Sequence, residues 1–334
     1  MENAAGDFTE KLNEWGKAKT PFFFLVDYQF QKPLAWKLGD VDPEEILFNL
    51  NGFTNDTAAF GDDLPEHIQF DKHPLAFKDY QPKFDCVLHH LNAGNSFLVN
   101  LSVPTPIDTN LTLKQIFRHS EAPYRLLFKN RFVCFSPEIF VRIQDNRIAS
   151  FPMKGTIDAS VPNAEQVILS DYKEAAEHAT IVDLIRNDLS MVAKKVWVER
   201  YRYIDRIQAS DKTLLQVSSE IAGILPTNFN GEYGDLLKKL LPAGSITGAP
   251  KPRTLEIIRE AEEYNRGYYT GVMGYFDGEN FESAVMIRFI EQEDQQLVFK
   301  SGGGITALSN ARSEYQEVID KVYLPFSHTP HAVL

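Results

Sequence analysis

Residues 171–190 read DYKEAAEHATIVDLIRNDLS, a stretch that combines a long apolar helical pattern with carboxylates. Its apolar side chains recur at helical spacing but cover a surface too wide for an ordinary amphipathic stripe. These side chains are Ala175, Ala176, Ala179, Ile181, Val182, Leu184, Ile185 and Leu189. The pattern predicts a mostly buried helix, with Asp171 as its N-cap and Glu174 three residues later in a variant of the capping box.

Glu177 lies one turn into the apolar segment, on the same face of the predicted helix as Glu174 and Asp188. A buried carboxylate is costly unless it is paired with a cation or binds a metal. Two interpretations therefore stay open for this residue. It is either half of a structural ion pair, with Arg186 as the nearest candidate, or a metal ligand.

Composition limits the class of protein. The chain has 334 residues, 43% of them hydrophobic, which is enough for a large core. Its apolar runs are too short to cross a bilayer, and the N-terminus does not have the order of a signal peptide. Its two cysteines, Cys86 and Cys134, lie far apart and without the spacing of a zinc site. We therefore expect a soluble, cytoplasmic protein, and the net charge of −12 disfavours nucleic acid and membrane surfaces as partners.

Short segments with turn signals predict antiparallel strands through the middle of the chain, at 97–103, 124–129, 132–135, 139–144 and 147–151. In the C-terminal third, 269–276, 283–290 and 296–301 alternate as strands of one antiparallel sheet. Gly302-Gly303-Gly304 is expected to break the last strand before a final helix at about 310–324. Residues 1–83 carry no chemical motif.

The final helix carries a second pair of carboxylates, Glu314 and Glu317, three residues apart and hence on one face. Lys321 lies one further turn along that face, so a solvated Glu–Lys pair is the simpler explanation of this helix by itself. Together with Glu174 and Glu177, however, it makes two Glu-x-x-Glu pairs on separate helices. Two such helices facing each other would form an all-oxygen site suited to Mg²⁺.

Three further features are candidates for binding or chemistry. The glycine triplet at 302–304 lets backbone N–H groups approach a ligand carboxylate, although it also suits a sharp turn. The segment GSITGAPK places the hydroxyls of Ser245 and Thr247 near a helix start, where an anion, a substrate hydroxyl or a simple N-cap would fit. Lys154, between a strand end and Gly155, is either an exposed cation or, in a dry pocket, a nucleophilic amine.

These residues stand in ordered blocks: GNSFLVNLS, FSPEIF, PMKGT, KEAAEHATIVDLIRND, GSITGAPKPR, RGYYTGVMGY, IRF, SGGGI and EYQEVIDK. In this order they resemble the chorismate-utilising enzymes, the group of anthranilate synthase, aminodeoxychorismate synthase component I and isochorismate or salicylate synthases. The resemblance covers residues 84–326. It implies a mixed α/β (α+β) fold with two antiparallel sheets packed face to face and helices outside. We expect residues 84–330 to form the chorismate-binding catalytic domain, with residues 1–83 a reduced N-terminal part of the same fold.

The resemblance also implies roles for individual residues. Glu177 and Glu317 match the residues that hold Mg²⁺ in the family, and Glu174 and Glu314 match the water-mediated shell of the ion, which in turn binds the ring carboxylate of chorismate. The enolpyruvyl carboxylate is gripped by residues matching Tyr269 and Arg288, with help from the glycine backbone at 302–304 and from Lys321.

Lys154 decides the subfamily that the chain resembles. The pattern Pro-x-Lys-Gly-Thr looks like aminodeoxychorismate synthase, in which this lysine adds covalently to ring C2, and Glu138 matches the general acid/base near the leaving hydroxyl. Anthranilate synthases typically have Ala at this position. Isochorismate and salicylate synthases carry a general-base lysine at the position of Leu98. The chain departs from the aminodeoxychorismate pattern at Leu98, at Asp158-Ala159 and at Gln216, where amine-transferring members commonly have His.

The implied activity is a Mg²⁺-dependent transferase reaction, the amination of chorismate at C4 to 4-amino-4-deoxychorismate on the route to p-aminobenzoate and folate. The alternatives are anthranilate synthase component I, then isochorismate or salicylate synthase, and a non-catalytic chorismate-binding subunit. No Cys–His pair with a glutaminase context is present in the sequence. Ammonia is therefore expected from a separate glutamine amidotransferase subunit.

Overall fold

The computed structural model describes residues 2–58, 63–208 and 213–326. Its α-helices are α1 (Glu2–Lys17), α2 (Phe77–Asn92), α3 (Leu113–His119), α4 (Ala164–Ser170), α5 (Tyr172–Ser190), α6 (Tyr233–Leu240), α7 (Lys251–Glu262) and α8 (Ala311–Asp320). Its strands are β1 (Phe22–Val26), β2 (Leu34–Lys37), β3 (Ile46–Leu50), β4 (Phe53–Thr54), β5 (Phe70–Lys72), β6 (Leu98–Thr109), β7 (Tyr124–Phe128), β8 (Phe132–Ser136), β9 (Ile139–Gln144), β10 (Arg147–Ser150), β11 (Met153–Asp158), β12 (Lys194–Gln208), β13 (Thr213–Ile224), β14 (Gly248–Ala249), β15 (Val272–Phe276), β16 (Phe281–Val285), β17 (Phe289–Glu293) and β18 (Gln296–Ile305). None of the described helices combines the length and the apolar character needed to cross a bilayer.

The chain divides into two compact units, each assembled from three separated segments. The first comprises Met1–Asp40, Glu138–Ser245 and Thr270–Val285, and the second comprises Val41–Pro137, Ile246–Tyr269 and Met286–Leu334. Each unit contains one nine-stranded antiparallel sheet, so the predicted fold class with two antiparallel sheets is confirmed. The N-terminal residues contribute β1 and β2 to the first sheet and β3 to β5 to the second. The predicted boundary at residue 83 and the face-to-face packing stay predictions, and residues 327–330 lie outside the described part.

In the first unit the strand order is β11-β13-β10-β9-β16-β15-β1-β2, with β12 also pairing with β13. All five residues of β1 are buried because β15 and β2 flank it and aromatic rings cover it. Phe24 stacks on Phe281 with ring centroids 5.4 Å apart, and Tyr233 of α6 stacks on the same ring at 5.0 Å. Such aromatic pairs add stabilisation beyond the buried area. They hold α6 onto this sheet.

Helix α5 begins as predicted, because the side chain of Asp171 accepts a hydrogen bond of 2.9 Å from the backbone N–H of Glu174. The prediction that most of the helix is buried is wrong. One side is buried, at Glu177, His178, Val182, Leu184, Ile185 and Leu189. The other side, which includes Ala176 and Ala179, is exposed. Alanine has little apolar area to hide from water, so its presence in the pattern did not require a covered face.

In the second unit the strand order is β14-β6-β18-β17-β8-β7-β3-β4, with β5 also pairing with β6. Strand β6 pairs with β18 from Leu297 opposite Ile107 to Ile305 opposite Val99. Helices α2, α7 and α8 share one apolar cluster with these two strands. Its buried members are Tyr80, Phe84, Val87, Leu91, Val99, Leu101, Val103, Ile257, Ile258, Ala261, Ile305 and Val318. This cluster gives the three helices a common, closely packed support.

Two predictions for the C-terminal strands are wrong. The strand predicted at 283–290 is two strands, since β16 pairs with β15 in the first sheet and β17 pairs with β18 in the second. Arg288 separates them with a left-handed backbone (φ 53°). The apolar pattern concealed this change of sheet because both strands are buried. The three C-terminal segments therefore do not belong to one sheet.

The glycine triplet continues the last strand instead of breaking it. Gly302, Gly303 and Gly304 are part of β18 and pair with Ser102, Leu101 and Asn100 of β6. A Cβ atom at Gly302 would lie 2.6 Å from the carbonyl oxygen of Leu101. A close approach of this kind excludes any side chain, and this explains why a strand interior contains glycine here.

Candidate functional site

Lys154 stands at a bulge in β11. Met153 pairs with Ser218 and Thr156 pairs with Gln216, so that Lys154 and Gly155 together oppose one residue of β13. Gly155 has φ +79°, a left-handed conformation that glycine adopts without strain. Bulges often lie next to active sites because they change the direction of a side chain. The bulge directs Lys154 out of the regular alternation of the strand.

The side chain of Lys154 pairs with Glu177 of α5, with 2.7 Å between Nζ and Oε2. Glu177 is buried, with 5% of its side chain exposed, and Lys154 is 20% exposed. Arg186, the partner considered from sequence, instead pairs with Asp183 at 3.2 Å on the exposed side of the helix. The cation on Glu177 is thus the candidate nucleophile itself. This contact was not evident from the sequence, because the two residues lie on different elements.

Glu174 lies one helical turn before Glu177 and beside the same bulge. A Cβ atom at Gly155 would lie 3.3 Å from Oε2 of Glu174. The absence of a side chain at residue 155 therefore leaves space for this carboxylate. The first unit therefore brings together three predicted site residues, Lys154, Glu174 and Glu177, on β11 and α5. Their side chains offer one amine and two carboxylates, a set that can bind a hard cation or move a proton.

His178 is a buried titratable residue that the sequence interpretation passed over. Its Nε2 lies 2.7 Å from the hydroxyl of Ser219, and 1% of the residue is exposed. Burial, with the positive charges of Arg202 and Lys154, lowers the pKa of His178 to about 4. The imidazole is therefore neutral at pH 7. The pattern of apolar residues could have indicated its burial, but not its partner on β13.

Glu138, the residue before β9, accepts a hydrogen bond of 2.5 Å from the hydroxyl of Ser245. Ser245 was predicted to bind substrate, and the structure shows it as a partner of the predicted general acid/base. Glu138, Ser245 and Asp188 line a cavity of about 20 Å³. Asp188 accepts a hydrogen bond from the backbone N–H of Gly244 at 3.2 Å. A cavity of this size has room for about one water molecule.

In the second unit, α8 carries Glu314 and Glu317. These two residues lie next to Gly302–Gly304 of β18, the segment called the glycine strand below. A Cβ atom at Gly303 would stand 3.5 Å from Oε1 of Glu317 and 3.7 Å from Oε2 of Glu314. Lys321 binds Glu317 at 2.7 Å, as the helical spacing suggested, but it also donates to the carbonyl oxygen of Gly302 at 2.8 Å. The Glu317–Lys321 pair is therefore not a simple solvated one, because Lys321 also connects α8 to β18.

Glu314 is only 3% exposed, and its charge acts on a neighbouring side chain. The pKa of Tyr80 on α2 is raised well above its usual range by burial, and further by the negative charges of Glu314 and Glu317. Two carboxylates near a buried phenol create a region of negative potential in the second unit. A divalent cation would be favoured in such a region.

The glycine strand has a backbone edge available for binding. Strand β17 pairs with β18 only as far as Lys300, whereas β6 accompanies β18 to Ile305. Among the described strands, Gly302–Gly304 are thus paired along one edge only. Backbone N–H groups on such an edge can donate to an anion.

Tyr269 and Arg288 lie within the second unit. Tyr269 is 3% exposed, and its ring lies 6.0 Å from that of Phe289, the residue after Arg288. The guanidinium of Arg288 donates from Nε to the hydroxyl of Tyr323 at 3.2 Å. Arg288 also has the left-handed backbone noted above. Strained non-glycine residues of this kind cluster at functional sites.

Thr247 and Leu98 are both buried. The carbonyl oxygen of Thr247 accepts a hydrogen bond from the backbone N–H of Asn100 at 3.0 Å. A Cβ atom at Gly304 would lie 3.0 Å from Cδ1 of Leu98, so this side chain packs directly against the glycine strand. An apolar group therefore occupies the position at which isochorismate and salicylate synthases would need a base.

Comparison with known sequences identifies the relatives of this chain. A sequence profile described as chorismate binding enzyme matches residues 52–326. A PabA-like protein of Haemophilus influenzae, itself uncharacterized, is 52% identical over 318 residues, which cover 95% of this chain and 96% of that protein. Aminodeoxychorismate synthase component 1 of Salmonella typhimurium is 34% identical over 260 residues, which cover 73% of this chain and 56% of that protein.

Other relatives have a different named activity. Anthranilate synthase component 1 of Aquifex aeolicus is 37% identical over 195 residues, which cover 56% of this chain and 38% of that protein. Among solved structures, the menaquinone-specific isochorismate synthase from Escherichia coli superimposes with a TM-score of 0.72 at 15% sequence identity, covering 95% of this chain and 80% of that one. This last match supports the fold alone.

Proposed function

Because this chain belongs to the family of chorismate binding enzymes, we propose that it aminates chorismate at C4 with ammonia to give 4-amino-4-deoxychorismate. The observation that carries the proposal is the position of Lys154. This residue sits on a bulge, only partly exposed, beside the buried carboxylate of Glu177. In its neutral form a partly buried lysine amine can serve as a covalent nucleophile.

The proposed reaction has two steps. In the first, the ammonium of Lys154 loses a proton to solvent, the neutral amine forms a bond to ring C2, the two conjugated double bonds of the ring each move by one bond, and the C4 oxygen leaves as water with a proton from Glu138. In the second, ammonia bonds to C4, the double bonds move back, the amine of Lys154 leaves C2, and the C4 nitrogen returns a proton to Glu138. The net change is the replacement of hydroxyl by amine, with water as the other product. Covalent catalysis of this kind divides one difficult substitution into two easier ones.

Glu138 is proposed as the general acid for the departing hydroxyl. In its protonated form it gives a proton to the C4 oxygen, so that water leaves instead of hydroxide. Ser245 holds the carboxyl group through the hydrogen bond to Oε1. We propose that this contact gives Ser245 a positioning role, and the direct substrate binding expected from the sequence stays a prediction.

We propose Mg²⁺ as the cofactor, with Glu177 and Glu317 as ligands and Glu174 and Glu314 in its water shell. The donor chemistry of each pair supports this, because both offer only carboxylate oxygens, the ligands that Mg²⁺ prefers. Glu177 and Glu314 are also nearly inaccessible, and a buried carboxylate favours a cation beside it. When bound, the ion would polarise the ring carboxylate of chorismate as a Lewis acid.

The enolpyruvyl carboxylate is proposed to bind in the second unit. Arg288 and the phenol of Tyr269 would supply a cation and a donor, and the open edge of Gly302–Gly304 would supply backbone N–H groups. Lys321 already bonds to the carbonyl oxygen of Gly302, so its charge lies next to this edge. Arginine and backbone N–H groups together are a common carboxylate-binding set.

Anthranilate synthase component I is the second candidate, and the Aquifex aeolicus relative is the observation in its favour. An isochorismate or salicylate synthase is disfavoured because Leu98 cannot activate water and is packed against Gly304. A non-catalytic chorismate-binding subunit is disfavoured because all four candidate carboxylates are present.

The product formed from chorismate, ammonium and Mg²⁺ separates these candidates. We expect mass spectrometry to detect 4-amino-4-deoxychorismate without release of pyruvate, because nothing in the proposed path cleaves the enolpyruvyl ether. Heat-inactivated protein with the same reagents is the control. Fluorescent anthranilate with pyruvate would transfer the assignment to the second candidate. Isochorismate has the same mass as chorismate but separates from it by chromatography, and its formation would indicate an isochorismate synthase. Chorismate unchanged in both mass and retention would favour the binding subunit.

Ammonia is proposed to come from a separate glutamine amidotransferase subunit. We expect the purified chain to use ammonium, with a rate that follows the concentration of free ammonia as the pH rises, and to use glutamine very poorly. Cys134 is buried in β8 and Cys86 lies on α2, and burial raises the pKa of both thiols, which disfavours a glutaminase nucleophile. Equal turnover with glutamine and ammonium would contradict the proposal.

A cytoplasmic location and a role in p-aminobenzoate and folate synthesis are part of the same proposal.

A further inference from the structure

Three side chains of different chemical type meet on the surface of the second unit. Cys86 and His90 lie on α2 and Glu260 lies on α7, and one potential ligand atom from each falls within 4.8 Å of the others. Cys86 and His90 are four residues apart, so they share one face of their helix. The cluster has no part in the proposed amination, and the spacing of these residues does not indicate zinc because Glu260 is distant along the chain.

The scaffold beneath this cluster is closely packed. Phe84, Val87 and Leu91 of α2 belong to the same apolar cluster as Ile257 and Ala261 of α7. The ligand-bearing helices are therefore held against each other by their buried faces.

Polar contacts of Lys83 also connect α2 to α7. Lys83 of α2 donates to the carbonyl oxygens of Ala261 and Glu262 at 3.2 and 3.3 Å, and pairs with Glu263 at 2.6 Å. These contacts join α2 to the C-terminal end of α7. The backbone positions of the three ligands are accordingly set by the packing of the two helices before any ion arrives, which reduces the ordering cost of binding.

His90 is the most buried member of the cluster. It is 8% exposed, its Nε2 lies 3.3 Å from Oε2 of Glu260, and its Nδ1 lies 3.0 Å from the side-chain amide of Asn95. The two ends of an Asn amide are nearly isosteric, so a half-turn lets Oδ1 accept from Nδ1–H. Nε2 is then an unprotonated ligand. A metal-bound His is usually oriented by an acceptor of this kind on its other nitrogen.

We propose that Cys86, His90 and Glu260 form a zinc site in which solvent occupies the fourth position. Thiolate sulfur, imidazole nitrogen and a carboxylate oxygen are the three ligand types of protein-bound Zn²⁺. Mg²⁺ is a poor occupant because it does not favour sulfur or nitrogen. On binding, the thiol proton of Cys86 passes to solvent and the sulfur bonds to the ion. The ion then ties α2 to α7 and stabilises the second unit.

Cobalt is the probe for this site, because a Co²⁺–thiolate bond gives a charge-transfer absorption that Mg²⁺ and carboxylates cannot produce. We expect the metal-free full chain to bind one Co²⁺ with this absorption, and Zn²⁺ to displace it. Cys86→Ser should abolish the band. His90→Ala and Glu260→Gln should each weaken Co²⁺ binding by at least about tenfold, because even loss of an outer partner has such an effect.

Two controls keep the result interpretable. His89→Ala changes the adjacent, exposed histidine of α2 and should leave Co²⁺ binding unchanged. Circular dichroism should show every variant folded, and Zn²⁺ should raise the Tm of the wild type but not that of Cys86→Ser. Absence of the thiolate band in the wild type would overturn the proposal. So would its persistence in Cys86→Ser, which would assign it to Cys134.

Discussion

Lys154→Ala should lower kcat for amination by about 10³-fold or more and leave chorismate binding nearly intact. A nucleophile acts only along the reaction path, so its loss reduces turnover and not ground-state affinity. Arg288, Tyr269, the glycine strand and the bound cation are expected to retain most of that affinity. The measurement is steady-state kinetics with ammonium, beside calorimetric titration of chorismate in the presence of Mg²⁺.

Lys154→Ala also breaks an ion pair, and its effect on stability must be distinguished from its effect on turnover. The ammonium of Lys154 pairs with the buried carboxylate of Glu177, so Lys154→Ala removes a partly buried cation as well as the proposed nucleophile. Breaking such a pair is expected to cost about 1–3 kcal/mol, less than for a fully buried pair because Lys154 is 20% exposed. Urea unfolding of each variant measures this cost independently of turnover.

Lys154→Arg is the matched control. Its guanidinium can preserve the ion pair and hence the stability, but it stays protonated and cannot attack carbon. The Arg variant should therefore fold like the wild type and be as inactive as Lys154→Ala. If Lys154 is only a structural cation, the Arg variant should be close to wild-type activity. Retained amination by Lys154→Ala would indicate direct attack by ammonia, the anthranilate type of route.

Glu177→Gln and Glu317→Gln should each lower kcat/KM by about 10²-fold or more at limiting Mg²⁺. Each replaces one proposed anionic ligand of the Mg²⁺ site, which would have few of them. Excess Mg²⁺ should restore part of the activity, because the remaining ligands still favour the ion. Titration of activity against Mg²⁺ for each variant is the measurement.

Each metal-site variant has a matched control on its own helix. Asp183→Asn on α5 and Asp320→Asn on α8 also remove one carboxylate, but from exposed positions. They should change the Mg²⁺ dependence by less than about twofold, since exposed charges interact weakly through water. Full activity of the wild type in EDTA would reject the metal site altogether.

The pairing of Lys154 with Glu177 leads to a further expectation for the metal. In the structure this carboxylate already has a cation at 2.7 Å, so Mg²⁺ must compete with Lys154 for it. Mg²⁺ should therefore raise the Tm of Lys154→Ala by more than it raises that of the wild type. An equal or smaller shift would mean that Glu177 does not bind the ion.

Local sequence patterns were sufficient to predict those features of the protein that depend on residues close together in the chain. The N-cap at Asp171 was predictable because its hydrogen bond to Glu174 lies within three residues. Glu177 was recognisable as unusual because a carboxylate stood in an apolar segment. The pairing of Glu317 with Lys321 followed from helical spacing. The ordered blocks indicated the family, which the profile match over residues 52–326 confirms.

What only the tertiary structure decided involves residues far apart in the chain. The partner of Glu177 is on β11, the partner of Glu138 is Ser245, and the third member of the cysteine–histidine cluster is on α7. The continuation of β18 through its glycines depends on the proximity of β6. Hydrophobic periodicity reports only whether a position is covered, and not which element covers it. By itself the sequence determined where most helices and strands lie and which residue types are available for chemistry, whereas packing determined which of those residues meet and where strands such as β16, β17 and β18 end.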